Sequence, residues 1–173
     1  MVSIRSLGAA CLAVFVVATL VGCASAGEAA ATARARSEFA EMKEQFIANA
    51  PAANTEDSFV QYVHDHRLDT EGELAIDPNG DPDLLHVGVG GRSTRLIYSA
   101  RVLDGAGVVS VIVMGYDSPA GWGTRPETVY SCLTATFDLE RGGEPAYADT
   151  DCVKELNGAT ATDRHKTVGE LGG

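Results

Sequence analysis

The stretch Val108-Val109-Ser110-Val111-Ile112-Val113-Met114 decides the fold of this chain. Successive side chains of a β-strand point to opposite faces of a sheet, so odd and even positions are judged separately. The odd positions are all valine, and the even positions include Val108, Ile112 and Met114. Both faces of the segment are apolar, which predicts a central strand that is covered on both sides.

The sequence around this segment predicts an antiparallel meander. After Leu68 the apolar residues alternate, and clusters of Gly, Asp, Asn and Pro recur at strand-length intervals. Asp104-Gly105-Ala106-Gly107 predicts a hairpin turn, because glycine permits positive φ. Within Thr94 to Leu103, alternation puts the even positions Leu96, Tyr98, Ala100 and Val102 on one face, opposite Arg95, Ser99 and Arg101, so one side there is wet or polar. The predicted strands are Glu73 to Asp77, Leu84 to Val89, Thr94 to Leu103, Val108 to Tyr116 and Thr128 to Leu139.

Two helices are predicted before the strands. Residues Glu28 to Asn49 are mostly strong helix formers, and an apolar stripe recurs at helical spacing along one face. A shorter helix fits Glu56 to Arg67. The fold class is therefore α+β, with N-terminal helices packed on an antiparallel meander sheet of about five strands. The stripe on the first helix consists of Phe39, Met42, Phe46 and Ile47.

The charge balance excludes one class of partner. The chain has 24 Asp and Glu residues against 13 Lys and Arg residues, a formal net charge of -11. Because affinity for nucleic acid depends on clustered Lys and Arg, we expect no nucleic-acid partner. The few Lys residues and the abundance of Ala, Gly, Asp and Arg resemble proteins from genomes of high G+C content, such as those of actinobacteria.

The N-terminal residues have the pattern of an export signal. Arg5 precedes the apolar run Leu7 to Leu20, and the run ends in Leu20-Val21-Gly22-Cys23. This arrangement resembles the lipobox of bacterial lipoproteins. The resemblance implies removal of residues 1–22, a diacylglycerol thioether on Cys23, a further acyl chain such as palmitate, and an extracytoplasmic protein anchored to the cell membrane. The alternative is an uncleaved membrane-spanning helix, which leaves the rest of the chain outside the cytoplasm as well.

The remaining chain divides into three predicted parts. Residues 23–35 are expected to form a lipidated tether, residues 36–156 a single α+β domain, and residues 157–173 a loose tail. Cys132 and Cys152 are the thiols left once Cys11 is removed and Cys23 is acylated. In an oxidising compartment we expect them to form a disulfide that stabilises the domain by about 3 kcal/mol. Cys132 is expected to point away from the main apolar face of its strand.

The connection from Tyr116 to Pro126 is the candidate binding loop. It contains the chain's single tryptophan, Trp122, together with Arg125. Both residue types are enriched among those that dominate binding energy, and loops on a rigid sheet commonly carry recognition. The alternative is that Trp122 folds back onto the sheet edge.

Neither candidate metal motif has the residues and spacing that its type of metal site requires. Asp77 to Asp83 resembles the opening of a calcium loop, but Pro82 and Gly88 stand where an EF-hand needs Gly and Glu, so we predict a plain turn with calcium binding as the alternative. His64 and His66, with Asp69 nearby, are two residues apart on a predicted helix and point in nearly opposite directions. We expect no metal and no other cofactor.

No motif of a known reaction centre is present. We therefore expect a non-catalytic binding or accessory module at the cell envelope, with a protein or a small ligand as its partner. The alternatives are a hydrolase of envelope polymers, an inhibitor of such an enzyme, or a lipid carrier.

Overall fold

A computed structural model describes residues 26–50, 56–66, 68, 73–77, 79–82, 94–118, 120, 125–153 and 164–172. Within these ranges the chain forms two helices followed by strands and a short third helix. Their bounds are α1 Ala26–Asn49, α2 Glu56–His66, β1 Glu73–Leu74, β2 Thr94–Leu103, β3 Ala106–Asp117, β4 Glu127–Asp138, β5 Ala146–Asp149, β6 Arg164–His165 and α3 Val168–Leu171.

The sheet is an antiparallel meander with short parallel additions. Its order is β1-β2-β3-β4-β5, and β6 pairs with β4 beside β5. The pairs β2–β3, β3–β4 and β4–β5 are antiparallel, whereas β1–β2 and β4–β6 are parallel. β3 lies in the middle, as its doubly apolar sequence predicted. The α+β fold class is confirmed.

The β2–β3 connection is the predicted hairpin turn. Asp104 and Gly105 both have positive φ, at 52° and 76°. A two-residue turn with this backbone matches the right-handed twist of the strands, which explains why the sequence uses Asp-Gly here.

α1 packs along one face of the sheet at close range. Ala31, Ala35 and the larger side chains Phe39, Met42 and Phe46 are buried against it. A Cβ on Gly115 of β3 would lie 1.9 Å from the carbonyl oxygen of Ala31, so only glycine permits this approach. The prediction that Ile47 belongs to the buried stripe is wrong, because the residue is 43% exposed.

The predicted disulfide is present on the opposite face. Cys132 is bonded to Cys152, with a Cα–Cα distance of 5.3 Å. Cys132 is fully buried and points away from α1, as predicted, into a second apolar cluster with Leu96 and Ile112. After β4 the chain turns back and forms β5, which pairs with the edge of β4. It then reaches the disulfide face at Cys152.

The prediction that Leu96, Tyr98, Ala100 and Val102 share one face of the sheet is wrong, because β2 contains a β-bulge. Ile97 pairs with Val111 and Ser99 pairs with Ser110, so Tyr98 is an extra residue. A bulge reverses the alternation that follows it. Leu96 and Tyr98 therefore lie on the disulfide face, whereas Ala100 and Val102 lie on the α1 face.

The α1 face of β2 is polar at Arg95, and α1 covers it. Arg95, predicted on the wet or polar side, is buried and donates hydrogen bonds to the Glu38 carbonyl at 3.3 Å and to Glu41 Oε2 at 3.1 Å. α1 covers this guanidinium and supplies the groups that pair with it.

Residues 26–35, predicted as a tether that merges into the first helix at Glu28, are helical throughout, because α1 begins at Ala26. Glu28, Ala31 and Ala35 are buried, so this part of the chain belongs to the domain. The small residues Ala31 and Ala35 allow the helix to lie close to the sheet at Gly115.

The predicted loose tail is wrong for residues 164–172. β6 pairs with β4, and Val168 and Leu171 of α3 are buried. The Val168 N–H donates to Asp149 Oδ1 at 2.7 Å, and Thr167 and Glu170 form a capping box at the start of α3. Two apolar residues are too few to produce a helical pattern in the sequence. In the structure, these polar contacts hold Val168 and Leu171 in place.

Two predicted features lie outside the described residues: the strand Leu84 to Val89 and the N-terminal segment up to residue 25. None of the helices within the described ranges is both long enough and apolar enough to span a bilayer.

Candidate functional site

Charged side chains from distant parts of the sequence meet at one end of the domain. α1 begins there, β3 ends there, β4 begins there, and β6 pairs with Val129 and Tyr130 of β4. A Cβ on Gly27 would lie 3.0 Å from Glu127 Cγ, which places the start of α1 directly over the start of β4. We call this the proximal end and define it by Glu28, Arg34, Asp117, Arg125, Glu127, Arg164 and Lys166.

Glu28 is the centre of an ion-pair network at the proximal end. Its Oε2 accepts a hydrogen bond from Arg164 at 2.6 Å, and its Oε1 accepts one from Lys166 at 3.2 Å. Lys166 Nζ also lies 3.7 Å from Glu170 Oε1. The Glu28 side chain is 8% exposed and that of Arg164 is 57% exposed, so the carboxylate lies behind the guanidinium.

A second ion pair has the same arrangement. Arg34 Nη2 donates to Asp117 Oδ1 at 3.0 Å, with side-chain exposures of 55% and 14%. At both pairs the positive group faces solvent and the negative group faces the protein. The Lys166–Glu170 pair has the reverse arrangement, with side-chain exposures of 19% and 51%, so the proximal end presents the Glu170 carboxylate to solvent as well as these two guanidinium groups.

The base of the predicted binding loop lies at the proximal end. Tyr116 is half-buried near the end of β3, where it pairs with Thr128, and Arg125 is exposed just before β4. Trp122 lies outside the described residues, as does the predicted lipidation residue Cys23.

A surface hollow of about 410 Å³ lies beside the disulfide. Its lining includes Tyr130, Asp151, Cys152 and His165. The rings of Tyr130 and His165 pack edge to face, with their centroids 5.4 Å apart. The Cys152 sulfur is oxidised in the disulfide and is not a thiolate nucleophile. The hollow offers an imidazole, a phenol and a carboxylate for hydrogen bonding.

A second hollow, of about 350 Å³, lies at the opposite end of the sheet. We call this the distal end and define it by the hollow's charged lining residues Asp104, Asp138, Glu140, Arg141 and Glu144. Asp138 Oδ1 accepts hydrogen bonds from the backbone N–H groups of Arg141 and Glu140, at 2.9 and 3.1 Å. These bonds, that of Arg141 first, lower the pKa of Asp138. Its carboxylate holds the turn after β4.

Asp77 forms the predicted turn. Its Oδ1 accepts hydrogen bonds from the N–H groups of Asn79 and Asp81 at 2.8 and 3.0 Å, and the Asp81 bond is the largest cause of a lowered Asp77 pKa. Gly80, with φ of 86°, accepts a hydrogen bond from the Ala100 N–H at 2.9 Å. The carboxylate thus shapes a turn that docks on β2 beside the bulge.

Of the three candidate metal residues near the end of α2, the structure describes the side chain of His64 alone. His64 Nδ1 lies 2.9 Å from the carboxylate of its neighbour Asp65, and the side chain of His66 and the whole of Asp69 lie outside the described part of the chain. Across the described ranges, no three His, Cys, Asp or Glu side chains are grouped so that they could hold a metal ion.

The proximal network was missed at the sequence level. Glu28 was placed in the first helix, and an acidic residue in a first turn is a common helix-start feature. Nothing in the sequence linked it to Arg164 and Lys166 near the other terminus. The Thr167 to Glu170 spacing of a capping box was the one local signal for order there.

Comparison with protein-family models, curated proteins and solved structures finds no match to this chain.

Proposed function

We propose that this chain is a lipoprotein of the cell envelope, anchored to the outer face of the membrane by acylated Cys23, and that its domain is a non-catalytic binding or accessory module. Two or more acyl chains would hold such a protein stably, because each buried methylene contributes about 0.8 kcal/mol.

The spacing between Cys23 and the domain carries the proposal. α1 begins at Ala26, three residues after the cysteine of the lipobox-like sequence. The export-like segment therefore leads directly into an exposed end of the domain.

The disulfide supports an extracytoplasmic location. Disulfides persist in oxidising compartments and are rare in the cytosol of mesophiles. Cys132–Cys152 joins β4 to the segment after β5 and has a structural role. A domain held in this way suits a chain that is exported before it folds.

The roles of the carboxylates favour binding over catalysis. Asp77 and Asp138 hold turns, and Glu28 holds β6 against α1. Of the two described hollows, neither is a deep cleft that encloses the reacting groups of a hydrolase. A surface that recognises an envelope protein or a small ligand fits this arrangement better.

A hydrolase is the second candidate, and it would use the hollow beside the disulfide. His165 and Asp151 line that hollow and are the described groups suited to proton transfer there. Purified protein should be incubated with cell-wall polymer, with His165→Ala as the matched variant. Polymer cleavage that is lost in His165→Ala would favour the hydrolase, whereas no cleavage by either protein would favour the binding module or an enzyme inhibitor.

Metabolic labelling tests the anchor. Cells that express the chain are fed a tagged fatty acid, and the protein is isolated and examined for the tag. We expect the native chain and Cys11→Ser to carry the label, because Cys11 lies in the segment that is removed, and we expect Cys23→Ser to lose it. An unlabelled native protein, or label retained in Cys23→Ser, would contradict the proposal.

A further inference from the structure

We propose that the proximal end of the domain lies on the membrane surface, against anionic phospholipid headgroups, and that the distal end points away from the bilayer. This orientation rests on the proposed acylation of Cys23. It adds an interaction surface and a partner chemistry that the anchor alone does not specify.

The short connection is the first reason. An extended chain spans at most about 3.6 Å per residue, so the Cα atom of Cys23 lies within about 11 Å of that of Ala26. With its acyl chains in the bilayer, Cys23 holds the start of α1 within headgroup distance. β3 alone has 12 residues and is about 40 Å long. In an upright domain, the distal end therefore lies about that far from the headgroups that the start of α1 contacts.

The layered ion pairs are the second reason. Arg34 and Arg164 face solvent, with Asp117 and Glu28 behind them, and Arg125 is exposed at the same end. Guanidinium groups have five N–H donors and bind phosphate well, so they can contact lipid phosphates while they keep their carboxylate partners.

The charge along α1 argues for an upright domain. The exposed charged residues in its first half are Arg34 and Arg36, whereas Glu41 and Glu44 are exposed in its second half. If the helix lay flat, these carboxylates would be pressed against anionic headgroups. The upright orientation brings the arginines to the surface and keeps the glutamates away from it.

The distal end is repelled by the same surface. Asp104, Glu140 and Glu144 are exposed there, with Arg141 as the cation in the same hollow. The negative potential of an anionic bilayer falls off within about a Debye length, so it favours the orientation that keeps this group away.

Two alanines on one helix allow a matched test. Ala29 and Ala48 are both exposed on α1 and are separated by 19 positions, or about 28 Å along the helix axis. A single tryptophan is placed at either position as Ala29→Trp or Ala48→Trp, in both cases with Trp122→Phe. The full lipidated chain is reconstituted into phosphatidylethanolamine and phosphatidylglycerol vesicles that contain a nitroxide-headgroup lipid. Fluorescence quenching is measured after flotation, and circular dichroism confirms that both variants are folded.

We expect strong quenching at position 29 and little at position 48. A long Gly-Ser insertion between Ser25 and Ala26 should reduce the difference, because it releases the start of α1 from the headgroups. Equal quenching at the two positions, or stronger quenching at position 48, in protein that floats with the vesicles would overturn the orientation but leave the anchor intact. Protein that does not float would overturn the anchor and the orientation together.

Discussion

Glu28 and Arg164 are in contact at 2.6 Å although 136 positions separate them. The contact joins the first turn of α1 to β6. Lys166 binds the other oxygen of the same carboxylate, so one side chain holds both the start of α1 and the last described segment. At the proximal end, Glu28 therefore fixes the start of α1 to the segment that contains β6.

Replacing Glu28 with Gln should destabilise the domain. The substitution removes the negative charge between Arg164 and Lys166, and Lys166 is mostly buried. We expect a loss of about 1 to 3 kcal/mol in the free energy of unfolding, measured by urea denaturation. Glu44→Gln is the matched control, because Glu44 lies exposed on the same helix. An unchanged urea midpoint in Glu28→Gln would show that the network contributes nothing to stability.

Gly115→Ala should separate α1 from the sheet. The new Cβ would lie 1.9 Å from the Ala31 carbonyl oxygen and 2.5 Å from the Ala35 nitrogen, and these backbone atoms move only if the helix moves. We expect a loss of about 1 to 3 kcal/mol in thermal or urea unfolding.

Gly169→Ala is the control for that substitution. The nearest atom to its Cβ would be Thr167 Oγ1 at 3.9 Å, so we expect little change in stability. If the two variants were equally stable, the close packing of α1 on β3 would be wrong.

The disulfide should contribute about 3 kcal/mol, because it closes a loop between residues 20 positions apart. The double variant Cys132→Ala with Cys152→Ala should lose that stability. In unreduced, denatured native protein, thiol labelling followed by peptide mapping should leave both residues unmodified until a reductant is added. Labelling of either residue before reduction would contradict the bridge.

Asp77 should give the domain an acid-sensitive contribution to stability. Backbone N–H groups, that of Asp81 first, lower the folded-state pKa of Asp77 below its ordinary value of 3.8. The contribution is complete above the unfolded-state pKa and is lost as the pH falls through the folded-state pKa. The stability difference between the native chain and Asp77→Asn should therefore shrink below about pH 4. A carboxyl NMR titration of Asp77 with a midpoint at or above 3.8 would contradict this account.

Local patterns in the sequence were sufficient to predict the meander. Each of three predicted features depends on residues within a single element, and the structure contains all three. They are the valines of β3, the Asp104-Gly105 turn and the apolar stripe of α1. The disulfide was predicted from the position of the cysteines along the chain and from the oxidising compartment that the export-like N-terminal sequence implies.

Features that depend on tertiary contacts escaped the sequence. The bulge at Tyr98 breaks the alternation of β2 beside the point where the Gly80 carbonyl binds the Ala100 N–H, and no residue within β2 marks it. The C-terminal residues became ordered through contacts with Glu28 and Asp149, which lie far away in sequence.

The mass of the N-terminal peptide of the membrane-extracted protein tests the central claim most directly. We predict a peptide that begins at Cys23 and carries the added mass of a diacylglyceryl group, with or without a further acyl chain. A peptide that retains residues 1–22, or one that contains unmodified Cys23, would contradict the lipid anchor and the orientation that depends on it.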